Sequence, residues 1–329
     1  MKGTLLITGA SGQIGLALIE HLIKKDYRVR ILIHQNPISF PLVQLVTPYW
    51  GNILNPDSLH KAMKGVDVVF HLAGLTHTKH NNKIRLADYE RINVQGTKHI
   101  VEIAKRERVT KIVYFSTISV YGRSVEDKLL NEYSIAQPST AYAKTKYKAE
   151  EMVMNACSFT GNPMGVVLRL ASVYGDRIKG SFAALRKAIQ QGWFIPIGSG
   201  NNHRSMVHEK DVAQAAELAA TKSNAIGQIY NVTDGQSYTM NQLLSLIYSS
   251  LNKSKPNYYL PDSLVHFILR RLAYLQAIRY HNRIERLQSQ LSLWVENTGV
   301  NGQKIQEELG YQPQYHFEDT WKSIMKTYI

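Results

Sequence analysis

Residues 4–15 read TLLITGASGQIG, an aliphatic run that ends in three glycines spaced three apart, Gly9, Gly12 and Gly15. A chain leaving a strand by a tight turn needs glycine at the first position. Close approach of a pyrophosphate needs a residue without a side chain at the second. Packing of the next helix on the strand needs glycine at the third. The helix that follows points its free N–H groups and partial positive charge back at the turn, which suits phosphate. A strand, a glycine turn and an amphipathic helix at the head of a chain predict the first unit of a parallel α/β sheet.

The rest of the first two thirds repeats that alternation. Short aliphatic runs at Val29–Ile33, Val66–Leu72, Lys111–Phe115 and Gly165–Leu170 follow the opening run Thr4–Thr8 as predicted strands. Amphipathic stretches at Ile14–Lys24, Asp57–Met63, Asn93–Lys105 and Tyr142–Cys157 separate them as predicted helices. Alternating strands and helices with right-handed crossovers give an α/β fold, a doubly wound parallel sheet of Rossmann type. The expected division is a dinucleotide-binding domain over residues 1–171 and a smaller, mainly substrate-binding C-terminal lobe over 172–329. Ile229–Val232 reads as a strand that can return to the main sheet. Met240–Leu251 reads as a helix, Pro256 and Pro261 bracket a loop, and a long helical pattern runs from Ser263 to Leu287.

Composition narrows the function classes. The single cysteine, Cys157, excludes an internal disulfide and a cysteine-rich metal site, and fits a reducing, cytoplasmic setting. No run of about 18 apolar residues predicts a membrane span. The first residues are too glycine-rich for a secretory leader. The formal charge of +14 attracts phosphate-bearing partners, but the basic clusters are short and no nucleic-acid module is legible, so no nucleic-acid partner is expected. His77 and His80 lack a matching carboxylate, so no metal is expected; they read as loop residues on the substrate side.

Further motifs follow in order: GVDVVFHLAG (65–74), INVQGT (92–97), YFSTISVYG (114–122), LRLASVYG (168–175), RSMVHEKDVAQA (204–215), IYNVTDGQSYT (229–239) and LGYQPQYHFEDTWKSI (309–324). With the opening TGASGQIG, whose spacing is GxxGxxG, they resemble the extended short-chain dehydrogenase/reductase superfamily, in its NAD-dependent epimerase/dehydratase branch. The resemblance spans nearly the whole chain. It implies a nicotinamide cofactor held by Gly9, Ser11, Gly12, Gln13, Ile14 and Gly15 in the opening turn. Other expected contacts are His34 after the second strand, Asn52 and Ile53 in WGNIL, Leu72, Ala73 and Gly74 in HLAG, and Asn93 and Ser116. His34 stands where the family has an acidic residue for NAD or an arginine for NADP, so both cofactor forms remain open; Arg28 and Arg30 lie nearby in the strand.

In PSTAYAKTKYKAE (138–150), Tyr142 and Lys146 are four apart and share a helix face. Lys144 and Lys148 lie off that face, and Tyr147 has Glu151 at its own fourth position. A fixed ammonium favours the phenolate and is expected to move the phenol down from its usual value near ~10. Tyr142 is then the expected proton carrier, with Lys146 also on the cofactor ribose as the resemblance implies. Thr117 falls at the family's catalytic hydroxyl. Sugar dehydratases of the family carry Asp-Glu directly after it, where this chain has Ile118 and Ser119, and the related decarboxylases carry Glu at the place of Ser119. Simple oxidation or reduction at one carbon, or 4-epimerisation through a transient ketone, is what remains.

The substrate is expected to be a small molecule, a sugar bearing phosphate or diphosphate, nucleotide-linked or lipid-linked. Ser172 stands where nucleotide-sugar epimerases often place asparagine, and Arg204 is the expected phosphate contact, against the alternative of an ion pair with Asp211 or Glu209. The apolar stripe of 263–287, flanked by arginines, reads either as packing surface or as a peripheral membrane contact. A homodimer is expected from the family. The alternatives are a hydroxysteroid-like or lipid alcohol dehydrogenase and a non-catalytic dinucleotide sensor.

Overall fold

The computed structural model describes residues 3–76, 86–122, 128–177, 180–261 and 296–326, together with 263, 264, 267 and 271. His77, His80 and most of 263–287 lie outside the described residues.

Seven parallel strands form the central sheet: β1 (Thr4–Thr8), β2 (Arg28–Ile33), β3 (Thr47–Trp50), β4 (Val68–His71), β5 (Lys111–Thr117), β6 (Gly165–Leu170) and β10 (Ile229–Val232). Their order is β10-β6-β5-β4-β1-β2-β3. The order reverses between β1 and β4, which opens a crevice at their carboxyl ends. Side chains alternate across the sheet as a period of two requires. Leu5, Ile7, Val113 and Phe115 enter one apolar layer. Leu6, Ile112 and Tyr114 enter the other.

Helices α1 (Gln13–Lys24) and α7 (Glu209–Thr221) cover the first face. Leu18, Leu22, Ala213 and Ala216 supply their buried stripe. Helices α2 (Pro56–Met63), α4 (Gly96–Arg106) and α5 (Ala141–Met154) cover the second. Each starts or ends for a local reason. Asn55 accepts from the N–H groups of Asp57 and Ser58 to begin α2, with Pro56 in its first turn. Thr140 accepts from Ala143 N–H to begin α5. The expected helix from Asn93 begins instead at Gly96, because a short α3 (Leu86–Tyr89) leads into a π-helical turn over Glu90–Gln95.

β3 is not among the expected strands, and Pro48 sits inside it. The register explains the tolerance: β3 lies at the sheet edge, paired only with β2, so the missing N–H of Pro48 breaks no second ladder.

Past residue 172 the chain builds two small ribbons. β7 (Ser172–Tyr174) pairs with β9 (Met206–His208), and β8 (His203–Arg204) pairs with β11 (Tyr238–Thr239). Helices α6 (Gly180–Gln190), α8 (Met240–Ser250) and α10 (Phe317–Lys326) enclose a separate core. Phe317 and Trp321 stack at 4.7 Å in its centre, against Phe182, Leu243 and Ile247. Between α8 and α10 lies α9 (Gln303–Leu309), which packs on β10.

Candidate active site

The glycine turn sits at the crevice where the strand order reverses. Gly9 has φ +74°, and a Cβ there would come within 2.7 Å of Ala73 N at the end of β4. A Cβ on Gly15 would lie 2.5 Å from Gly9 O. Both positions are closed by the protein itself. Gly12 differs: an added Cβ meets only Gly9 O, at 3.2 Å, and the residue is exposed at the start of α1. Its lack of a side chain keeps space clear above the turn, with Ser11, Gln13 and Ile14 half-buried around it. Gly12→Ala should therefore leave the melting temperature within about 2 °C of the parent, because little of the fold resists the methyl. The same change should weaken dinucleotide binding about tenfold or more, as close backbone approach is lost. Calorimetric melting and a dinucleotide titration read the two effects separately.

At the end of β2, His34 and Asn52 meet, with Asn52 Nδ2 donating to His34 Nε2 at 3.0 Å. An amide nitrogen can only donate, so His34 Nε2 is the acceptor of this bond. Asn52 Oδ1 in turn accepts from Leu54 N–H. Arg30 is turned away, its guanidinium donating to the carbonyls of Ala62 and Lys64. Ile53 is buried against Gly96, where a Cβ would come within 2.5 Å of it.

Beneath the crevice runs a buried relay that the sequence did not reveal. Ala73 N–H donates to Thr8 Oγ1, and Thr8 Oγ1 lies 2.9 Å from His71 Nδ1. His71 Nε2 lies 2.9 Å from Thr97 Oγ1, which donates to Asn93 O. Since Thr97 donates onward, His71 Nε2–H donates to it, and Nδ1 accepts from Thr8. Burial first, then the charge of Lys146, drives His71 down to about 3, so the ring is neutral. Asn93 closes the network: Oδ1 accepts from Leu75 N–H, and Nδ2 donates to Leu75 O and Thr145 Oγ1. Its amide, expected at the cofactor, is committed to tying the loop after Leu72, Ala73 and Gly74 to α5.

Thr117 ends β5 and caps the short 3₁₀ turn Ile118–Tyr121, accepting from Ser119 N–H and donating to Ser119 Oγ. Tyr142, at the start of α5, is hydrogen-bonded to Thr117 and meets Tyr89 edge-on at 6.5 Å. The ammonium of Lys146 donates to Phe115 O and lies 4.0 Å from the Tyr114 ring centroid. Ser116, between Phe115 and Thr117, has a buried hydroxyl with no hydrogen-bond partner among the described residues. A buried hydroxyl left in that state costs free energy that a bound polar group would relieve.

The expected lowering of the Tyr142 phenol is absent. Burial pushes it up to about 12, reinforced by Tyr89, while the Thr117 hydrogen bond acts the other way. Lys146 is itself driven down to about 7 by burial, with Glu150 acting against the shift. Glu150 continues the same helix face one turn on, and its carboxylate is held by Arg169 through Nε and Nη2, the shortest contact being 2.7 Å. The four-residue spacing Tyr142, Lys146, Glu150 was the signal in the sequence that could have placed Glu150 on this face, though nothing in it marks Arg169 as its partner.

β6 runs beside β5, with Leu170 opposite Thr117. The chain then turns to Ser172, whose N–H donates to Ser205 O, next to Arg204. Ser172 and Arg204 thus lie on neighbouring segments past the Thr117 end of the sheet. Arg204 is buried, and its Nε and Nη2 have no hydrogen-bond partner among the described residues. The alternative ion pairs fail: Asp211 accepts the N–H groups of Gln314 and Tyr315, and Glu209 is paired with Arg177. Burial lowers the guanidinium to about 10, with Glu296 opposing. No group of three metal-ligating side chains occurs among the described residues.

A model of the NAD dependent epimerase/dehydratase family matches residues 5–233. N-acetyl-alpha-D-glucosaminyl-diphospho-ditrans,octacis-undecaprenol 4-epimerase of Escherichia coli O157:H7 is 27% identical over 266 residues, 80% of this chain and 77% of the relative. Human sterol-4-alpha-carboxylate 3-dehydrogenase, decarboxylating, is 27% identical over 263 residues, 78% of this chain and 68% of the relative. In structure, the chain is similar to UDP-glucuronic acid 4-epimerase from Bacillus cereus, solved in complex with UDP-glucuronic acid and NAD. The TM-score is 0.77 at 22% identity, covering 99% of this chain and 100% of that one.

Proposed function

The chain belongs to the NAD dependent epimerase/dehydratase family, and on that premise we propose that it is an NAD-dependent 4-epimerase of a sugar carried on a diphosphate. The observation that carries this reading is the hydroxyl pair at the end of β5. Thr117 lies within hydrogen-bonding reach of Tyr142, and the residues that follow Thr117 supply no carboxyl group: Ile118 is buried, and Ser119 is engaged by Thr117 itself. Such a set can move one proton on and off one oxygen. It has no acid to expel a neighbouring hydroxyl.

The glycine turn and the unpartnered Ser116 hydroxyl fit a nicotinamide dinucleotide. When bound, that cofactor supplies the hydride chemistry, taking a hydride from the substrate carbon and returning it. The His34–Asn52 hydrogen bond and the diversion of Arg30 to Ala62 and Lys64 support NAD over NADP, since Arg30 is turned away from the end of β2. The chain's own residues do the rest. Tyr142, as the phenolate that the charge of Lys146 would favour, takes the hydroxyl proton as the carbon is oxidised and gives it back on reduction. Thr117 holds the reacting oxygen against the phenol. Lys146 sets the charge beside them, and Arg204 anchors the diphosphate while the sugar turns its other face.

The sterol dehydrogenase relatives keep a second reading open, a lipid alcohol dehydrogenase. Isotope retention separates the two. With UDP-N-acetylglucosamine or polyprenyl-diphospho-N-acetylglucosamine deuterated at C4, an epimerase should yield the C4 epimer with the deuterium kept and no net reduced cofactor. Stoichiometric build-up of reduced cofactor would instead assign a dehydrogenase.

A further inference from the structure

We infer that the exposed apolar face built from residues 193–197 and 258–260 docks this enzyme on an anionic bilayer surface. Two segments from distant parts of the chain are joined here. Leu260 N–H donates to Pro196 O at 2.9 Å, and Gly198 N–H donates to Leu260 O at 2.9 Å. Along 193–196 the side chains alternate. Phe194 and Pro196 turn inward, where Tyr248 Oη donates to Phe194 O, while Trp193 and Ile195 turn out. Trp193 is 69% exposed, Tyr258 65% and Phe267 55%, and Ile195, Tyr259 and Leu260 are exposed with them. The lobe has a well-filled core of its own around Trp321, so these side chains are not left out for want of an interior. A contiguous face of this kind marks a binding surface rather than ordinary scatter.

Its chemistry selects the occupant. Tryptophan and tyrosine carry an apolar body and a polar edge, which suits the boundary between headgroups and acyl chains. Cations accompany them. Lys253 and Lys255 precede Tyr258 in the same segment, and no Asp or Glu stands among the described residues of 253–271. Arg271 is exposed, with its guanidinium 5.2 Å above the Phe267 ring. A two-fold contact between copies would press these like charges together, whereas an anionic lipid surface neutralises them. No helix among the described residues is long and apolar enough to cross a membrane, so the attachment is peripheral. The docking does not depend on the reaction. The consequence that the sugar diphosphate is presented on a lipid does rest on the 4-epimerase reading.

Vesicle co-sedimentation without substrate tests it. The full chain should sediment with vesicles of equal phosphatidylglycerol and phosphatidylcholine. Binding should fall about tenfold on phosphatidylcholine alone or in high salt. The triple variant Trp193→Ser, Tyr258→Ser, Phe267→Ser should lose about tenfold or more on the anionic vesicles. It should keep its melting temperature and its dinucleotide affinity. Wild-type protein that stays in the supernatant, or a triple variant that sediments as well as wild type, overturns the inference. So does light scattering that shows a wild-type dimer split by the triple variant, for the face is then covered by a second copy. C4 epimerisation of a soluble nucleotide sugar, assayed in parallel, reports on the chemistry alone, so a failure of docking and a failure of the epimerase reading give different results.

Discussion

Tyr142→Phe is expected to lower kcat about a thousandfold while dinucleotide affinity stays within about threefold of wild type. The substitution removes one oxygen and keeps the ring that meets Tyr89 edge-on, so the wall of the site stands. What goes is the atom that carries the proton. The size of the loss follows from the surroundings of the phenol. Burial holds it near 12, and the neutral form dominates at neutral pH. Drawing the proton off in the oxidation step needs positive charge close by, and Lys146, one helical turn away, is the group on the same face that can carry it. Lys146 itself sits near 7 because it is buried, so its charge responds to modest changes around it. Water cannot replace a positioned phenol in such a site. Turnover within tenfold of wild type in the Phe variant would remove Tyr142 from the chemistry.

The parts of this fold legible in the sequence are those set by short-range rules. The opening turn was readable because Gly9 and Gly15 must be glycine for steric reasons internal to the chain, and the strand–glycine–helix order states that directly. β1, β2, β5 and β6 were readable as aliphatic runs, since a strand buried on both faces needs apolar side chains at every position. β3 was not: its four residues include Pro48, and only the edge position makes that harmless. The relay through Thr8, His71, Thr97 and Asn93 was hidden for another reason. Each member is an ordinary polar residue in its own segment, and the network exists only once β1, β4 and the π-helical turn are brought together. The same holds for Glu150 and Arg169, nineteen residues apart and paired only because α5 packs on β6. At the candidate site the spacing of Tyr142 and Lys146 was correct as geometry of a helix face. The protonation inferred from it was not, because burial, which one-dimensional spacing does not contain, raises the phenol.

Arg204 gives the second large expectation, one in which stability and binding move in opposite directions. A guanidinium buried at the edge of the C-terminal lobe, with Nε and Nη2 lacking hydrogen-bond partners among the described residues and the charge of Glu296 offsetting part of the burial, is a cost to the ligand-free fold. Met is close in length and carries no charge. Arg204→Met should therefore leave the protein as stable or more stable, by up to about 1–4 kcal/mol, the range seen when buried charges are replaced by apolar side chains of similar volume. If Arg204 anchors a diphosphate, the same variant loses a charge-assisted hydrogen bond worth about 1.5–3 kcal/mol. KM for a diphosphate-linked sugar should then rise about 10- to 100-fold, with kcat changed far less, because the anchor is gripped equally before and during the reaction. Arg204→Lys should fall between the two, since it keeps the charge but loses the planar fork. A structural arginine would behave in the opposite sense: Arg204→Met would lower the melting temperature and leave KM unchanged. Melting curves and steady-state kinetics on the same three proteins decide between the two roles.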